Sequence, residues 1–397
     1  MIPEVPHILS GYAFCRNPVE VRADGDASAS TPCPYSVEVG GRTVFNGSYL
    51  PPFSVDLSDV AEGCTVPFPE VPESDSVFIP VVSQQGLSDY TMTVNLRPEA
   101  GADSSTRAGS ISLTLVPGGV SYRNWRRLQE LGMDPFTHRF LNPAANFFLT
   151  SRTGSWRIVV RETELYPLYF IMPDAGTVII RERLSHKEYA MSLGKGVWAL
   201  SITALRLHFL DQEHILASAF DVYRQSQDGK TYSCGIFVEE APVAKDRLIV
   251  KFRNSLGIFE MADLPGEVDV SLSEDDGAEA GERFDKSVCR LVSFRGRVSQ
   301  KKTYSVEMSP VSGSRWRLLA EIAASGDVWI LRPREYPVKV IPSIDDLTFR
   351  LFPKAPQSFK MAFEAVDRDA EITPDIVTGD ECRYKGMFSE EFSDAFD

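Results

Sequence analysis

The chain has 397 residues, with 55 acidic against 41 basic side chains and a formal net charge of −14. That length exceeds one compact core and predicts two to four domains, while the acidic balance argues against a nucleic-acid partner. There is no run of 18 apolar residues, so we expect no membrane insertion, and the N-terminus lacks the basic and apolar regions of a signal peptide.

Short alternating segments between glycines and prolines predict an all-β fold with a few short helices. We expect two to three β-sandwich-like domains, for which an immunoglobulin-like arrangement is one candidate. The first domain covers residues 1–118. Its predicted strands are Ile8–Phe14, Val19–Ala23, Tyr35–Val39, Val44–Tyr49, Phe53–Leu57, Val77–Val82, Tyr90–Leu96 and Ile111–Val116. The stretch Pro98–Ser110 is a linker or a long hairpin loop, and the alternating strands on both sides favour the loop.

The second domain, residues 119–245, is predicted to be β-rich with one short helix from Ser121 to Gly132. Its segment "GVWALSITALRLHFL" is predicted as a strand. His208 and His214 follow closely in "HFLDQEH". Their spacing suits a polar loop between strands better than a metal site, because tight metal sites use closer ligands.

The third domain, residues 246–372, is predicted to be a further β-sandwich with one helix, Ser314–Ser325. The pattern places Trp316, Leu319, Ala320 and Ala323 on one helix face. An acidic run, residues 273–285, is a solvated hairpin loop or a calcium site, and it lacks the alternating ligand order of a calcium loop. The strand at 290–302 has five bases and no acid. These two stretches either face each other, or the basic strand meets an acidic neighbouring subunit.

Catalytic signals are weak in this sequence. It contains no dinucleotide, phosphate-loop, zinc-protease or serine-hydrolase motif. Glu162 and Glu164 are predicted to alternate on one strand face, as a glycosidase pair or as a solvent-facing pair, and the second is commoner. The six cysteines are scattered without a CxxC motif, which is typical of reduced, mostly buried thiols. We therefore predict that the protein is not an enzyme and uses no cofactor or metal.

The third domain opens with "LIVKFRNSLGIFE", a strand that ends in an Asn-to-Gly corner and restarts with an apolar pair. Asparagine and glycine accept positive φ at low cost. We therefore predict that Asn254 and Gly257 bend the chain and that Glu260 bonds backbone amides there. A binding loop is the competing interpretation, and such glycine corners more often serve the backbone.

The same block resembles β-rich structural, tail-type proteins of Bacteroides phages and prophages. Phe252, Asn254, Gly257 and Glu260 are the matching positions. The blocks "NFFLTSR…WRIVVRETELYPLYFI" and "YPVKVIPSIDDLTFRLFPKAPQSFKMAFEAVDRD" extend the resemblance over roughly residues 140–372. The resemblance implies a structural component of a virion and carries no catalytic residue.

The C-terminal segment, residues 373–397, is predicted to be an acidic arm. Tyr384, Phe388, Phe392 and Phe396 recur every four residues, which places them along one side of a helix. A disordered acidic tail is the alternative. We favour an arm that docks its aromatic stripe on a partner or neighbouring subunit.

Two functional hypotheses follow from these patterns. The first is an assembly component of a phage tail or phage-like particle, located in the virion, with copies of itself and other tail proteins as partners. The second is a cell-surface glycan-binding or adhesion protein of a Bacteroides-type bacterium. The absence of a visible secretion signal favours the first.

Overall fold

The computed structural model describes residues 3–23, 32–50, 52–72, 74–96, 109–152, 156–226, 229–244, 246–274, 280–295, 300–308, 315–332, 336–343 and 358–367. Strands dominate and the helices are short, which confirms the predicted all-β class with a few short helices. The immunoglobulin-like arrangement stays a prediction.

The chain divides into two compact units. Unit 1 comprises Met1–Val160, Leu165–Glu239 and Asn254–Phe259, and unit 2 comprises Arg161–Glu164, Glu240–Arg253 and the residues from Glu260 onward. Most of the first two predicted domains therefore belong to unit 1 and most of the third to unit 2. The predicted boundaries themselves stay a prediction.

Among its described residues, the N-terminal part of unit 1 has nine strands and helix α1 (Ser58–Cys64). The strands are β1 (Pro3–Glu4), β2 (Tyr12–Phe14), β3 (Glu20–Ala23), β4 (Cys33–Val39), β5 (Arg42–Tyr49), β6 (Phe53–Asp56), β7 (Phe78–Ser83), β8 (Thr91–Leu96) and β9 (Gly109–Val116). Five form a sheet in the order β2-β9-β8-β4-β5, and three form the sheet β1-β3-β6. Buried residues of both sheets share one hydrophobic core, as in a sandwich. The antiparallel pairing of β8 with β9 flanks the predicted loop, most of which lies outside the described residues.

The described part of the rest of unit 1 adds helix α2 (Tyr122–Glu130), helix α3 (Ile202–Glu213) and seven strands. The strands are β10 (Arg157–Arg161), β11 (Leu168–Met172), β12 (Gly176–Glu182), β13 (Glu188–Leu193), β14 (Gly196–Leu200), β15 (Ala219–Ser226) and β16 (Gly229–Glu239). They form the sheets β10-β16-β15-β12-β13 and β11-β14-β7, which bury a second core. Strand β7 was predicted with the first domain, yet it pairs with β14 in this second set of sheets.

Helix α3 shows that the predicted long strand "GVWALSITALRLHFL" is wrong beyond Leu200. Ser201 is the N-cap, and its side chain accepts a hydrogen bond from the amide of Ala204 at 3.2 Å. Ile202, Leu205 and Phe209 are all buried, and their spacing of three and four residues is that of one helix face. The apolar run was misassigned because a buried helix and a buried strand look alike in sequence.

Unit 2 is built around a closed barrel in the order β17-β18-β21-β24-β23-β22. Its strands are β17 (Arg247–Arg253), β18 (Phe259–Glu274), β19 (Ala280–Asp285), β20 (Arg290–Arg295), β21 (Gln300–Met308), β22 (Val328–Leu331), β23 (Val338–Ser343) and β24 (Phe359–Ala365). The predicted third sandwich is therefore wrong, because β17 pairs with β22 and closes the sheet on itself. Strands β19 and β20 form a separate two-stranded sheet.

Helix α4 (Arg315–Ala324) lies where a helix was predicted, but it buries a different face. Its buried residues are Leu318, Leu319 and Ile322, which join the barrel core. Trp316, predicted on the same helix face as Leu319, is exposed, whereas Leu319 is buried. The stripe of larger aliphatic side chains decides the orientation of the helix, since each buries more apolar surface than alanine does.

Candidate functional site

The corner, defined as Asn254–Phe259, links β17 to β18 and is closed by its own hydrogen bonds. The amide of Asn254 donates to the Ile258 carbonyl at 2.8 Å, and the Gly257 amide donates to the Asn254 carbonyl at 3.0 Å. The side-chain oxygen of Asn254 accepts from the Ile258 amide at 3.2 Å. The positive φ, +83°, belongs to Gly257 and not to Asn254, so the expectation of a positive φ at Asn254 is wrong. Asn254 shapes the corner through its side chain instead.

A second glycine segment of unit 1 packs directly against this corner. A Cβ on Gly257 would overlap the carbonyl of Pro117, and a Cβ on Gly118 would overlap the backbone of Leu256. The Gly119 amide donates to the Ser255 carbonyl at 2.8 Å. The two backbones therefore approach as closely as only glycine permits, and this geometry favours the folding interpretation over a binding loop.

Glu260 follows the corner as a buried residue of unit 2. Its predicted bonds to corner amides stay a prediction. The predicted docking residues Tyr384, Phe388, Phe392 and Phe396 lie outside the described residues.

The predicted carboxylate pair is placed differently from the sequence expectation. Glu162 and Glu164 form a short 3-10 turn after β10, so they do not alternate along a strand. Glu164 is buried within unit 2. It joins a group that we call the ionic cluster, namely Arg161, Glu164, Arg247, Asp263 and Arg315.

Both carboxylate oxygens of Glu164 are engaged in the ionic cluster. One accepts from the amide of Asp263 at 2.9 Å and from the guanidinium of Arg315. The other accepts from the amide of Arg161 at 3.1 Å. A carboxylate held by three donors inside the protein is fixed in place and has no direct access to a substrate.

Asp263 lies at the centre of the ionic cluster and is fully buried. Its Oδ2 accepts from the Thr163 hydroxyl at 2.7 Å and from Arg247 at 3.1 Å. Its Oδ1 has no hydrogen-bond partner among the described residues. Burial raises the pKa of the Asp263 carboxyl, the neighbouring Glu164 raises it further, and Thr163, Arg247 and Arg161 oppose the rise. Arg161, Arg247 and Arg315 therefore offset the negative charges of two buried carboxylates, those of Glu164 and Asp263. Such a group of ion pairs holds the segments of a fold together.

The histidines and cysteines of the described residues do not form a cluster of metal ligands. His208 lies on α3 with its ring edge-on to Tyr189, and His214 is the left-handed C-cap of α3, so the predicted polar loop is wrong. Burial raises the pKa of the Cys234 thiol to about 12, which keeps it unreactive. The part of the chain that the structure describes contains no group of three or more residues suited to a metal ion.

The acidic and basic stretches meet in one hairpin system of unit 2. We call its described residues, Asp269–Glu274, Ala280–Arg295 and Gln300–Lys302, the arm. This arm is distinct from the predicted C-terminal arm, residues 373–397. Leu272 lies opposite Lys302 between β18 and β21, and Asp285 lies opposite Arg290 between β19 and β20. Strand β24 pairs with β21 only from Thr303 onward, so the arm continues beyond that strand of the barrel. Of the two alternatives left open by the sequence, the one in which the two stretches face each other is therefore confirmed.

The arm exposes apolar side chains. Phe284 and Leu291 lie directly opposite each other on one face of the β19–β20 sheet and are 54% and 61% exposed. Val270, Leu272, Val288 and Val292 are exposed as well. Strands β19 and β20 pair only with each other among the described residues, so each has a free backbone edge. The sequence predicted residues 290–302 as a strand and residues 273–285 as a solvated hairpin loop, although the alternation of Phe284 with charged neighbours was a strand signal.

Comparison of the chain with protein-family models gives no match, and comparison with curated proteins gives none. No helix in the described ranges is long and apolar enough to cross a membrane. The functional interpretation therefore depends on the physical features of the two units.

Proposed function

We propose that the protein is a structural component of a phage tail or phage-like particle and that it acts through protein–protein contacts, without catalysis. The observation that carries the proposal is the arm, a two-stranded ribbon with apolar side chains in solvent. A two-stranded hairpin is marginally stable alone in water, and clustered exposed apolar side chains mark interaction surfaces.

The energies support a binding role for the arm. Burying one Phe or Leu side chain is worth about 1.5–3 kcal/mol before the cost of ordering. The cross-strand pair of Phe284 and Leu291 could therefore contribute several kcal/mol when a partner covers it, whereas it contributes little in solvent. The free edges of β19 and β20 add backbone donors and acceptors to such a contact.

The proposed function is tested on particles. Phage or phage-like particles purified from the strain that encodes the protein should contain its peptides by mass spectrometry, at a ratio of many copies per particle. Negative-stain images of the purified chain should show rings or short stacks. Absence of the chain from particles, together with a strictly monomeric state in solution, would contradict the proposal.

Glycan binding is the second candidate function, and one exposed aromatic side chain favours it. Trp156 is 55% exposed and lies parallel to Tyr232, with ring centroids 6.4 Å apart. Neighbouring rings are covered by cations of the protein, because Lys230 lies over Tyr223 and Arg157 lies over Phe237. A glycan array with the wild-type chain and the Trp156→Ala variant tests this candidate. It is supported only by binding that the variant loses.

A further inference from the structure

We propose that the arm of one copy pairs edge to edge with the arm of the next copy, with the β20 edge of each chain against the β19 edge of its neighbour. This inference rests on the proposed function as an assembly component and names the surface and the partner. The partner is a second copy of the same chain.

The charge of the arm selects this partner. Among the described residues of the arm, 269–274 and 280–285 contain four acids and one base, a net −3, and 290–295 and 300–302 contain four bases and no acid, a net +4. The ribbon therefore has one negative limb and one positive limb. Each limb complements the other limb of a second copy, and complementary limbs attract while like limbs repel.

The charge also selects the symmetry of the contact. A two-fold contact would place β20 against β20, or β19 against β19, and would bring like-charged limbs together. Pairing β20 with the neighbouring β19 is a head-to-tail contact, which closes into a ring if the rotation per copy allows it. Rotation about the ring axis gives every copy of β19 the same direction relative to that axis. Because β19 and β20 are antiparallel within one copy, β20 of one copy also runs antiparallel to β19 of the next copy.

The side-chain pattern fits a continuous sheet of this kind. Glu282, Phe284, Leu291 and Ser293 share one face of the ribbon, because opposite residues in a paired register point to the same side. In a repeated sheet the exposed pair of Phe284 and Leu291 would recur once per copy and form an apolar band. One edge alone is smaller than the area of a standard stable interface, so two copies bind weakly and closure of a ring supplies the stability.

Charge reversal in the full chain tests the inference. Glu282 and Arg290 are both exposed and lie on opposite limbs. Analytical ultracentrifugation at low ionic strength measures self-association as a function of protein concentration. We expect Arg290→Glu alone to weaken association about tenfold or more, and Glu282→Lys alone to weaken it in the same direction. The double variant exchanges the signs of the two limbs and should recover most of the association.

The controls separate the arm from general charge effects. Lys195→Glu makes the same change in charge as Arg290→Glu at an exposed position of unit 1 and should leave association unchanged. Thermal melting of each variant should match that of the wild type, because both arm positions are in solvent. Added salt should reduce the association of the wild type and compress the differences among variants.

Three outcomes overturn the inference. Stronger association of Arg290→Glu would indicate contact between like limbs, and unchanged association would place the contact elsewhere. A wild-type chain that stays monomeric at high concentration and low salt also overturns it. If the chain is nevertheless present in purified particles, the proposed function survives, so the two failures are distinguishable.

Discussion

The corner and the arm lie close together in the sequence and use their residues in opposite ways. In the corner, Asn254 and Ile258 are buried, and the hydrogen bonds run within the corner and to neighbouring backbone. In the arm, Phe284 and Leu291 are exposed, and β19 and β20 pair only with each other among the residues that the structure describes. The corner is complete within its unit, while the arm has the features of a segment that is completed by another molecule.

The largest effect is expected at Gly257. In Gly257→Ala the new Cβ would meet the Pro117 carbonyl at a positive φ, so we expect unfolding to become easier by about 3–5 kcal/mol. Gly132→Ala is the matched control, since Gly132 also has a positive φ but open space around it. Gly132→Ala should lower the free energy of unfolding by about 1–2 kcal/mol. Urea unfolding measures the free energy of unfolding of both variants. Equal losses of stability would show that the close approach of Gly257 to Pro117 does not contribute.

A smaller loss is expected at Asn254. Asn254→Ala removes the bond from the Ile258 amide to the side-chain oxygen and the bond from the side-chain nitrogen to the Leu149 carbonyl. Leaving these buried backbone groups unsatisfied should lower the free energy of unfolding by about 2 kcal/mol. Asn254→Asp keeps the acceptor, and recovery of part of the loss would identify the Oδ1 bond as the main contribution. Denaturant melts that show no loss for the alanine variant would contradict this role.

Two carboxyl groups extend the comparison to pH. Burial raises the pKa of Asp263, whereas bonds from Ser287 lower the pKa of Asp285 in the arm. Between the ordinary aspartate pKa and the raised one, the folded state binds more protons at Asp263 than the unfolded state does. The contribution of Asp263 to stability should therefore fall as pH rises through that window, by at most about 1.4 kcal/mol per pH unit.

Calorimetry across that pH window, on the wild type and on Asp263→Asn, isolates this contribution. The wild type should lose stability relative to the variant as pH rises, and the difference should level off above the raised pKa. A wild type that gains stability relative to Asp263→Asn as pH rises would have the opposite sign and would contradict a raised pKa.

The smallest effect on stability is expected in the arm. Phe284→Ser should change the free energy of unfolding by less than about 0.5 kcal/mol, because the ring is already in solvent. The same variant should weaken self-association, since the apolar pair with Leu291 is lost. Leu184→Ser, at an 86% exposed position of unit 1, is the matched control and should change neither quantity. A large loss of stability in Phe284→Ser would mean that the arm is part of the folded core.

Local signals in the sequence were sufficient for the fold class and for several turns. Gly40 and Gly41 both adopt positive φ in a two-residue hairpin, and the side chain of Ser121 accepts a hydrogen bond from the Asn124 amide at the start of α2. The barrel was not predictable, because closure depends on the pairing of β17 with β22, which are distant in the chain. The pairing of β7 with β14 was not predictable for the same reason, because the two strands are distant in the chain.

The ionic cluster was partly visible in the sequence. The sequence indicated Glu164 as a possible catalytic carboxylate, but its partners Asp263 and Arg315 come from distant segments. The ionic cluster could not be predicted from the local spacing of residues in the sequence. The strand position of Phe284 was not predicted for a different reason, because the high density of charge in residues 273–285 is typical of a solvated loop.

Hydrogen exchange of the full chain at low and high protein concentration tests the central claim most directly. The account predicts that amides of residues 280–295 gain protection as concentration rises, because the free edges of β19 and β20 become paired. The corner amides should be protected equally at every concentration. Self-association in ultracentrifugation without any gain of protection in residues 280–295 would contradict the account.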